Sequence, residues 1–249
     1  MRDEGQGRGS VIPEPVPRNV VRRAVLDALG MPSLVLLASM TGFGSLARES
    51  ALGLEVALLA TAGIWGLPGQ IALAELYAAG GEIVAVVMAV SLANARFLPM
   101  AVSFMPLLQP GLARRAWLYA LVQFISVNTW AAGLRVCPGL PGAERRRYFA
   151  VFGAVCMMAA LVGTAAGHMA AGALPQPVTY GLVFLNPVFF ALIFADARDR
   201  ATAFALLIGA LVGPLLHLVS PDWGLLATGV IAGTAAFWLA RLPRPGAQP

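Results

Sequence analysis

Long runs of apolar residues, separated by short segments that contain arginine, restrict the fold of this chain more than any other feature. A helix that crosses the hydrocarbon core of a bilayer needs about 20 consecutive, mainly apolar residues. Only helices and closed barrels cross that core, because no water is present there to bind free backbone groups. Apolar runs of helix-spanning length recur along this sequence, so we predict an all-α, polytopic integral membrane helix bundle.

The composition supports a membrane protein over a soluble one. Of 249 residues, 59% are hydrophobic and 12% are charged, whereas soluble domains carry about 25% charged residues. All 17 basic residues are arginine, and the sequence pI is near 10.0. Nucleic-acid binding would require a basic face interleaved with aromatic residues. The arginines lie between the apolar runs instead, so we expect the lipid bilayer as a partner and no nucleic acid.

Apolar windows bounded by proline, glycine and charge predict eight spans. They cover residues 24–47, 52–78, 83–108, 117–136, 148–171, 178–195, 201–219 and 223–240. The chain then divides into a disordered basic tail at 1–23, a membrane domain at 24–242 and a loose tail at 243–249. Pro68 and Pro187 predict broken helices in the second and sixth spans.

The arginine positions predict the orientation of the spans. Cytoplasmic loops are enriched in lysine and arginine, and an even number of spans puts the N-terminal tail, the arginines at 145–147 and the C-terminal tail on one side. Arg114 and Arg115 would then lie on the opposite side, against this rule. We expect a multi-pass protein of the inner (plasma) membrane with both termini in the cytoplasm.

The second predicted span contains Gly66, Pro68, Gly69 and Gln70 within a few residues. A discontinuous helix exposes backbone N–H and C=O groups that can bind a substrate or an ion. The alternative is a proline kink that only packs well, with Gln70 bonded to a neighbouring helix. Glu75 lies one turn further on, where it can carry a proton or simply lie near the membrane surface.

Four further positions, Asn94, Arg96, Asn128 and Asn186, are unusual for a helix that faces lipid. Arg96 follows Asn94 in the third span, and a buried arginine normally faces the interior and pairs with an acid. No acid is nearby in sequence, so its partner is a distant acid or a substrate carboxylate, unless it reaches the surface or binds helix carbonyls. Asn128 and Asn186 suit substrate binding, or hydrogen bonds between helices.

No catalytic motif is present. The sequence has no Gly-x-Ser-x-Gly, phosphate-binding loop or His-Glu-x-x-His pattern. We therefore predict no enzyme, no cofactor and no metal site, and a secondary transporter that works by alternating access. The alternatives are a non-transporting membrane scaffold or assembly subunit, and a transporter or channel for another small solute.

The order of several motifs resembles the AzlC family, the large subunits of branched-chain amino acid exporters. The motifs are Thr41-Gly42-Phe43-Gly44, Gly66-Leu67-Pro68-Gly69-Gln70, Asn94-Ala95-Arg96-Phe97, Arg146-Arg147-Tyr148-Phe149 and the run from Phe184 to Leu192. The resemblance covers about residues 34–239. It implies a permease that exports leucine, isoleucine or valine, driven by an ion or proton gradient, together with a small AzlD-type membrane subunit. It also implies that Gln70, Asn94 and Arg96 are substrate positions.

The fourth span departs from the family pattern. Members often have an Asp-Glu pair before a small residue and an aromatic residue, whereas Val127-Asn128-Thr129-Trp130 occupies that place here. Without the acidic pair, the resemblance leaves the substrate and the coupling ion open.

Overall fold

The computed structural model describes residues 19–108, 117–173, 175–195, 200–219 and 221–241. Within those ranges the regular elements are α-helices and one 3-10 turn, Cys137–Gly139. The helices are α1 (Val20–Leu29), α2 (Met31–Glu49), α3 (Leu54–Ile64), α4 (Leu67–Ala78), α5 (Ile83–Asn94), α6 (Phe97–Leu108), α7 (Trp117–Val122), α8 (Val127–Val136), α9 (Gly142–Ala170), α10 (Gln176–Ala195), α11 (Arg200–Val219) and α12 (Pro221–Arg241).

Each predicted apolar span coincides with one helix or with a pair of helices. The first four spans are pairs, because each is interrupted near its middle or start: α1–α2, α3–α4, α5–α6 and α7–α8. The last four spans correspond to α9, α10, α11 and α12. The all-helical prediction is confirmed for the described residues.

The number of spans is not confirmed. Among the described residues, α9 has 29 residues, contains an 18-residue stretch with a mean hydropathy of 2.1, and is by itself long and apolar enough to cross a bilayer. The pairs α1–α2 and α5–α6 would also qualify if each is one span, bent by 46° and 47° respectively. Length and composition therefore support one to three spans there, and eight spans stay a prediction.

The predicted break near Pro187 is wrong. Helix α10 runs from Gln176 to Ala195 with Pro187 in its interior. A proline removes one backbone donor and crowds the preceding turn, but the other hydrogen bonds of a long apolar helix remain and can hold it together. Proline in a membrane helix is therefore a weaker signal of interruption than proline combined with glycine.

The ends of the chain are described only in part. Helix α1 begins at Val20, inside the range predicted as the N-terminal tail, and the Asn19 side chain caps it by accepting a hydrogen bond from Arg22 N at 3.3 Å. Residues 1–18 and 242–249 lie outside the described residues, as do Arg114 and Arg115.

Helices α2 and α9 form the centre of the packing. A Cβ atom on Gly163 would collide with the Leu37 carbonyl oxygen, and one on Gly167 with that of Thr41. Small residues of this kind let two membrane helices approach backbone to backbone. Positions 37 and 41 meet positions 163 and 167 in the same order, so α2 and α9 run parallel. Helix α10 packs on the other side of α2, where Gly42 contacts Val183.

Candidate functional site

The break between α3 and α4 forms the first part of the candidate site. Trp65 ends α3 in the left-handed conformation, with φ 52° and ψ 26°, and Gly66 is extended before α4. Pro68 occupies the first turn of α4, where its missing N–H would be unpaired in any case. No side chain caps the N-terminus of α4, so the predicted discontinuity near Pro68 is present, with free backbone donors at its start.

Asn94 is held in this break. Its Nδ2 donates to the Ile64 carbonyl oxygen at 3.2 Å, across the end of α3. A Cβ atom on Gly66 would lie 2.6 Å from Asn94 Oδ1, and one on Gly69 would lie 2.9 Å from the same atom. Both glycines are therefore needed for the Asn94 amide to fit, and its Oδ1 is buried without a hydrogen-bond partner.

Arg96 lies at the next break, between α5 and α6. Its guanidinium carbon is 5.4 Å from the centre of the Phe97 ring, and its Nε is buried with no hydrogen-bond partner among the described residues. Arg96 lines two cavities. The central cavity, of about 30 Å³, is also lined by Trp65, Gly66 and Asn128. The side cavity, of about 360 Å³, lies between α4 and α10.

Glu75 and Pro187 both line the side cavity. Pro68, Ile71 and Glu75 lie on one face of α4 and line it, while Val183, Phe184 and Pro187 line it from α10. The side cavity therefore has mainly apolar walls and two groups of opposite charge, Arg96 and Glu75. The side chain of Asn186 lies outside the described residues, so its predicted role is not addressed.

A break between α7 and α8 supplies Asn128. Ser126 caps α8, because its side chain accepts from Thr129 N while the Thr129 hydroxyl accepts from Ser126 N at 2.7 Å. Gln123 donates to the Ala62 carbonyl oxygen at 2.6 Å, which ties this break to the end of α3. Asn128 is only 4% exposed, and its Oδ1 has no hydrogen-bond partner.

Gln70 is separate from both cavities. It is fully buried, and its Nε2 donates to the Thr61 hydroxyl at 2.9 Å. The Thr61 hydroxyl in turn lies 2.9 Å from that of Thr164 on α9. The Nε2 contact is thus consistent with a structural role for Gln70, as a hydrogen bond to a neighbouring helix. Its Oε1 is buried and has no partner among the described residues.

The polar atoms around the central cavity are of complementary kinds. Within the part of the chain that the structure describes, Arg96 Nε and Trp65 Nε1 are buried donors without partners, and the Asn128 Oδ1 is a buried acceptor without one. A helix N-terminus favours negative charge, and the first turns of α4 and α8 both border the cavity. The set suits a carboxylate together with an ammonium group. Within the described ranges, no group of three or more His, Cys, Asp or Glu side chains could hold a metal ion.

Two residues with buried or paired polar groups, Trp65 and Asp27, were not recognised from the sequence. Trp65 was not singled out, although the glycines and proline that follow it were. Asp27 was also missed, although it is the one acid in the apolar run 24–47. It accepts a hydrogen bond from the Tyr148 hydroxyl at 2.8 Å and pairs with Arg23 at 3.6 Å.

Comparison with known proteins yields one match, to a family. No curated protein and no solved structure matches the chain. The family described as AzlC protein matches residues 33–174, which is more than half of the chain and includes the three helix breaks with Asn94, Arg96 and Asn128. At family level this supports a membrane permease of the branched-chain amino acid type. The chain belongs to the AzlC family.

Proposed function

We propose that this chain is a secondary transporter that exports small, branched-chain amino acids across the inner (plasma) membrane by alternating access. One observation carries the proposal. Arg96 lies at a helix break, lines both the central and the side cavity, and has a buried Nε that no described residue partners. A charged donor in such surroundings is costly unless a ligand pairs with it.

The substrate carboxylate binds Arg96. Guanidinium groups recognise carboxylates through paired, charge-assisted hydrogen bonds. The uncapped N-terminus of α4 adds backbone donors beside Arg96, and its positive end favours the same charge. The Phe97 ring holds the guanidinium in place from one face.

The side cavity takes the aliphatic side chain. Its volume of about 360 Å³ is within the range of ligand pockets, about 300–1,000 Å³. Ile71, Val183 and Phe184 provide apolar walls, which favour leucine, isoleucine or valine over polar amino acids. Glu75, in the same cavity, is the acid that we assign to proton coupling or to the substrate ammonium group.

The central cavity is narrow around its polar atoms. At about 30 Å³ it offers roughly the volume that one water molecule occupies in the liquid. Substrate passage therefore requires the broken helices to separate there. Three breaks meet at this point, and short helices joined by irregular segments can move without unfolding.

The proposal includes a partner and a topology. We infer that the chain is the large subunit of a two-component system with a small AzlD-type membrane subunit, and that both termini are cytoplasmic. It acts as a carrier without an enzymatic step, and it needs no cofactor. Gly66, Pro68, Gly69, Asn94 and Asn128 shape the site around Arg96, and Gln70 supports it from outside the two cavities through its bond to Thr61.

The test is flux of labelled leucine, isoleucine and valine in proteoliposomes, with and without the small subunit and an imposed pH gradient. Arg96→Ala should reduce flux by about 10- to 150-fold, since a hydrogen bond to a charged group contributes about 1.5–3 kcal/mol. The flux of Arg96→Lys should lie between that of Arg96→Ala and that of the unchanged protein, because lysine keeps the charge and loses the paired geometry.

Arg241→Ala is the matched control. Arg241 also stacks on an aromatic ring, with its guanidinium carbon 4.1 Å from the centre of Phe237, but it is not among the residues that line the cavities described above. Its flux should remain that of the unchanged protein. Equal flux in Arg96→Ala and Arg241→Ala would refute the assignment of Arg96. Absence of flux for all three amino acids in the intact complex would favour a scaffold or another solute.

A further inference from the structure

A third cavity, which we call the vestibule, lies at one end of the helix bundle. Its volume is about 650 Å³, and Asp27, Arg135, Tyr148 and Asn128 line it. Asp27 accepts from the Tyr148 hydroxyl at 2.8 Å. Like the side cavity, the vestibule has two charged side chains, and it adds the polar groups of Tyr148 and Asn128, which water can hydrate.

The vestibule leads toward the middle of α2. Gly30, Met31 and Pro32, at the start of that helix, line the vestibule, while Leu36 and Met40 line the central cavity. An α-helix rises 1.5 Å per residue, so Met40 lies about 12 Å further along α2 than Pro32. The vestibule is thus the outer cavity, and the central cavity lies deeper in the bundle.

Asn128 is shared by the two cavities. It lines the vestibule and the central cavity, and it is 4% exposed. Its Oδ1 is buried without a hydrogen-bond partner in the described ranges of the chain, although nearly all buried polar atoms have one. Arg96 is shared in the same way by the central and side cavities. The three cavities therefore form a series, divided first by Asn128 and then by Arg96.

We propose that the vestibule is the aqueous route by which the amino acid reaches Arg96 from the cytoplasm, and that Asn128 closes this route. On passage, the Asn128 Oδ1 accepts a hydrogen bond from the substrate ammonium group. The inference rests on the proposed function. The cytoplasmic side is assigned because Arg22, Arg23 and Arg135 and the arginines at 145–147 lie at or near this end of α1, α8 and α9.

Cysteine labelling from each side of the membrane tests the route. Both native cysteines are fully buried, so the unchanged protein serves as the blank for a membrane-impermeant methanethiosulfonate. Leu26→Cys and Ala131→Cys place a thiol in the vestibule. Val87→Cys on α5 is the matched control, since Val87 is 57% exposed and Leu26 is 58% exposed, and α5 belongs to an apolar pair able to span the bilayer.

We expect Leu26→Cys and Ala131→Cys to react in inside-out vesicles and not in right-side-out ones, and Val87→Cys to react in neither. Labelling of the vestibule positions from the outer side only, or no labelling of either, would overturn the route. The two vestibule positions lie on different helices, so the test still decides if one variant misfolds. Gel filtration detects a misfolded variant.

The role of Asn128 needs a second pair of variants. Met40→Cys places a thiol in the central cavity, where Met40 is 3% exposed. It should resist the reagent from the cytoplasmic side when Asn128 is present and react when Asn128→Ala is added. Unchanged protection in the double variant would remove Asn128 from the route. Labelling needs no substrate, so the labelling pattern decides whether the vestibule is a route even if no amino acid is transported. Absence of amino acid flux would reject the proposed function alone.

Discussion

Substitution of Gly66 by alanine tests whether the helix breaks depend on close contact with Asn94. The backbone of Gly66 has φ −147° and ψ 110°, which alanine adopts freely, so the cost is steric only. The added Cβ would lie 2.6 Å from Asn94 Oδ1 and 3.0 Å from two atoms of the Phe97 ring. The first contact is closer than atoms tolerate and the second is tight, so the Asn94 amide and the Phe97 ring must shift.

The size of the effect follows from two contributions. Overpacking costs about 1–3 kcal/mol, and loss of the Asn94–Ile64 hydrogen bond costs roughly 1 kcal/mol more. A destabilisation of about 2–4 kcal/mol should lower the unfolding temperature in detergent by roughly 4–16 °C. Flux should fall as well, because the Phe97 ring that must shift packs against the Arg96 guanidinium.

Gly63→Ala is the control for this prediction. Gly63 lies in α3 close to the same break, and a Cβ added there meets nothing within 4 Å. Alanine in a helix is more stable than glycine by about 0.5–1 kcal/mol, so this variant should unfold at the same or a slightly higher temperature. If Gly66→Ala unfolds at or above the temperature of Gly63→Ala, the reasoning about the break is wrong.

Two further predictions concern buried polar groups. Gln70→Leu removes the hydrogen bond to Thr61, which costs about 1 kcal/mol, and also removes the unpartnered Oε1, which relieves about 1–3 kcal/mol. Thermal unfolding should therefore show unchanged or greater stability. A marked loss of stability would mean that Oε1 has a partner. Burial raises the pKa of the Cys137 thiol to about 11, so the thiol stays protonated at pH 8. It should react with iodoacetamide only after denaturation. Rapid labelling of the folded protein would contradict this.

Hydropathy and spacing predicted the helices well because both act locally. The runs that became α9 and α10 are long and apolar, and a long apolar run must form a helix in a bilayer whatever its neighbours are. The break near Pro68 was predicted because Gly66 and Gly69 accompany the proline. The break between α7 and α8 was not, because Gln123 to Ser126 contains neither residue, and its geometry depends on the Gln123 contact with α3.

The candidate site could be predicted only in part. Asn94 and Arg96 were recognised because polar residues stand out in an apolar run. Their surroundings depend on contacts between distant segments, such as the approach of Asn94 to Gly66 and Gly69. Asp27 and Tyr148 are 121 residues apart in sequence, and no local pattern relates them.

The glycine contacts between α2 and α9 limit how this protein can move. Gly163 and Gly167 bring the backbone of α9 against the carbonyl oxygens of Leu37 and Thr41, and interlocked backbones cannot slide or rotate past each other without collision. These two helices therefore move as one rigid frame. A piston-like displacement of one along the other is excluded, and opening of the site is left to rotation of the short helices at the three breaks.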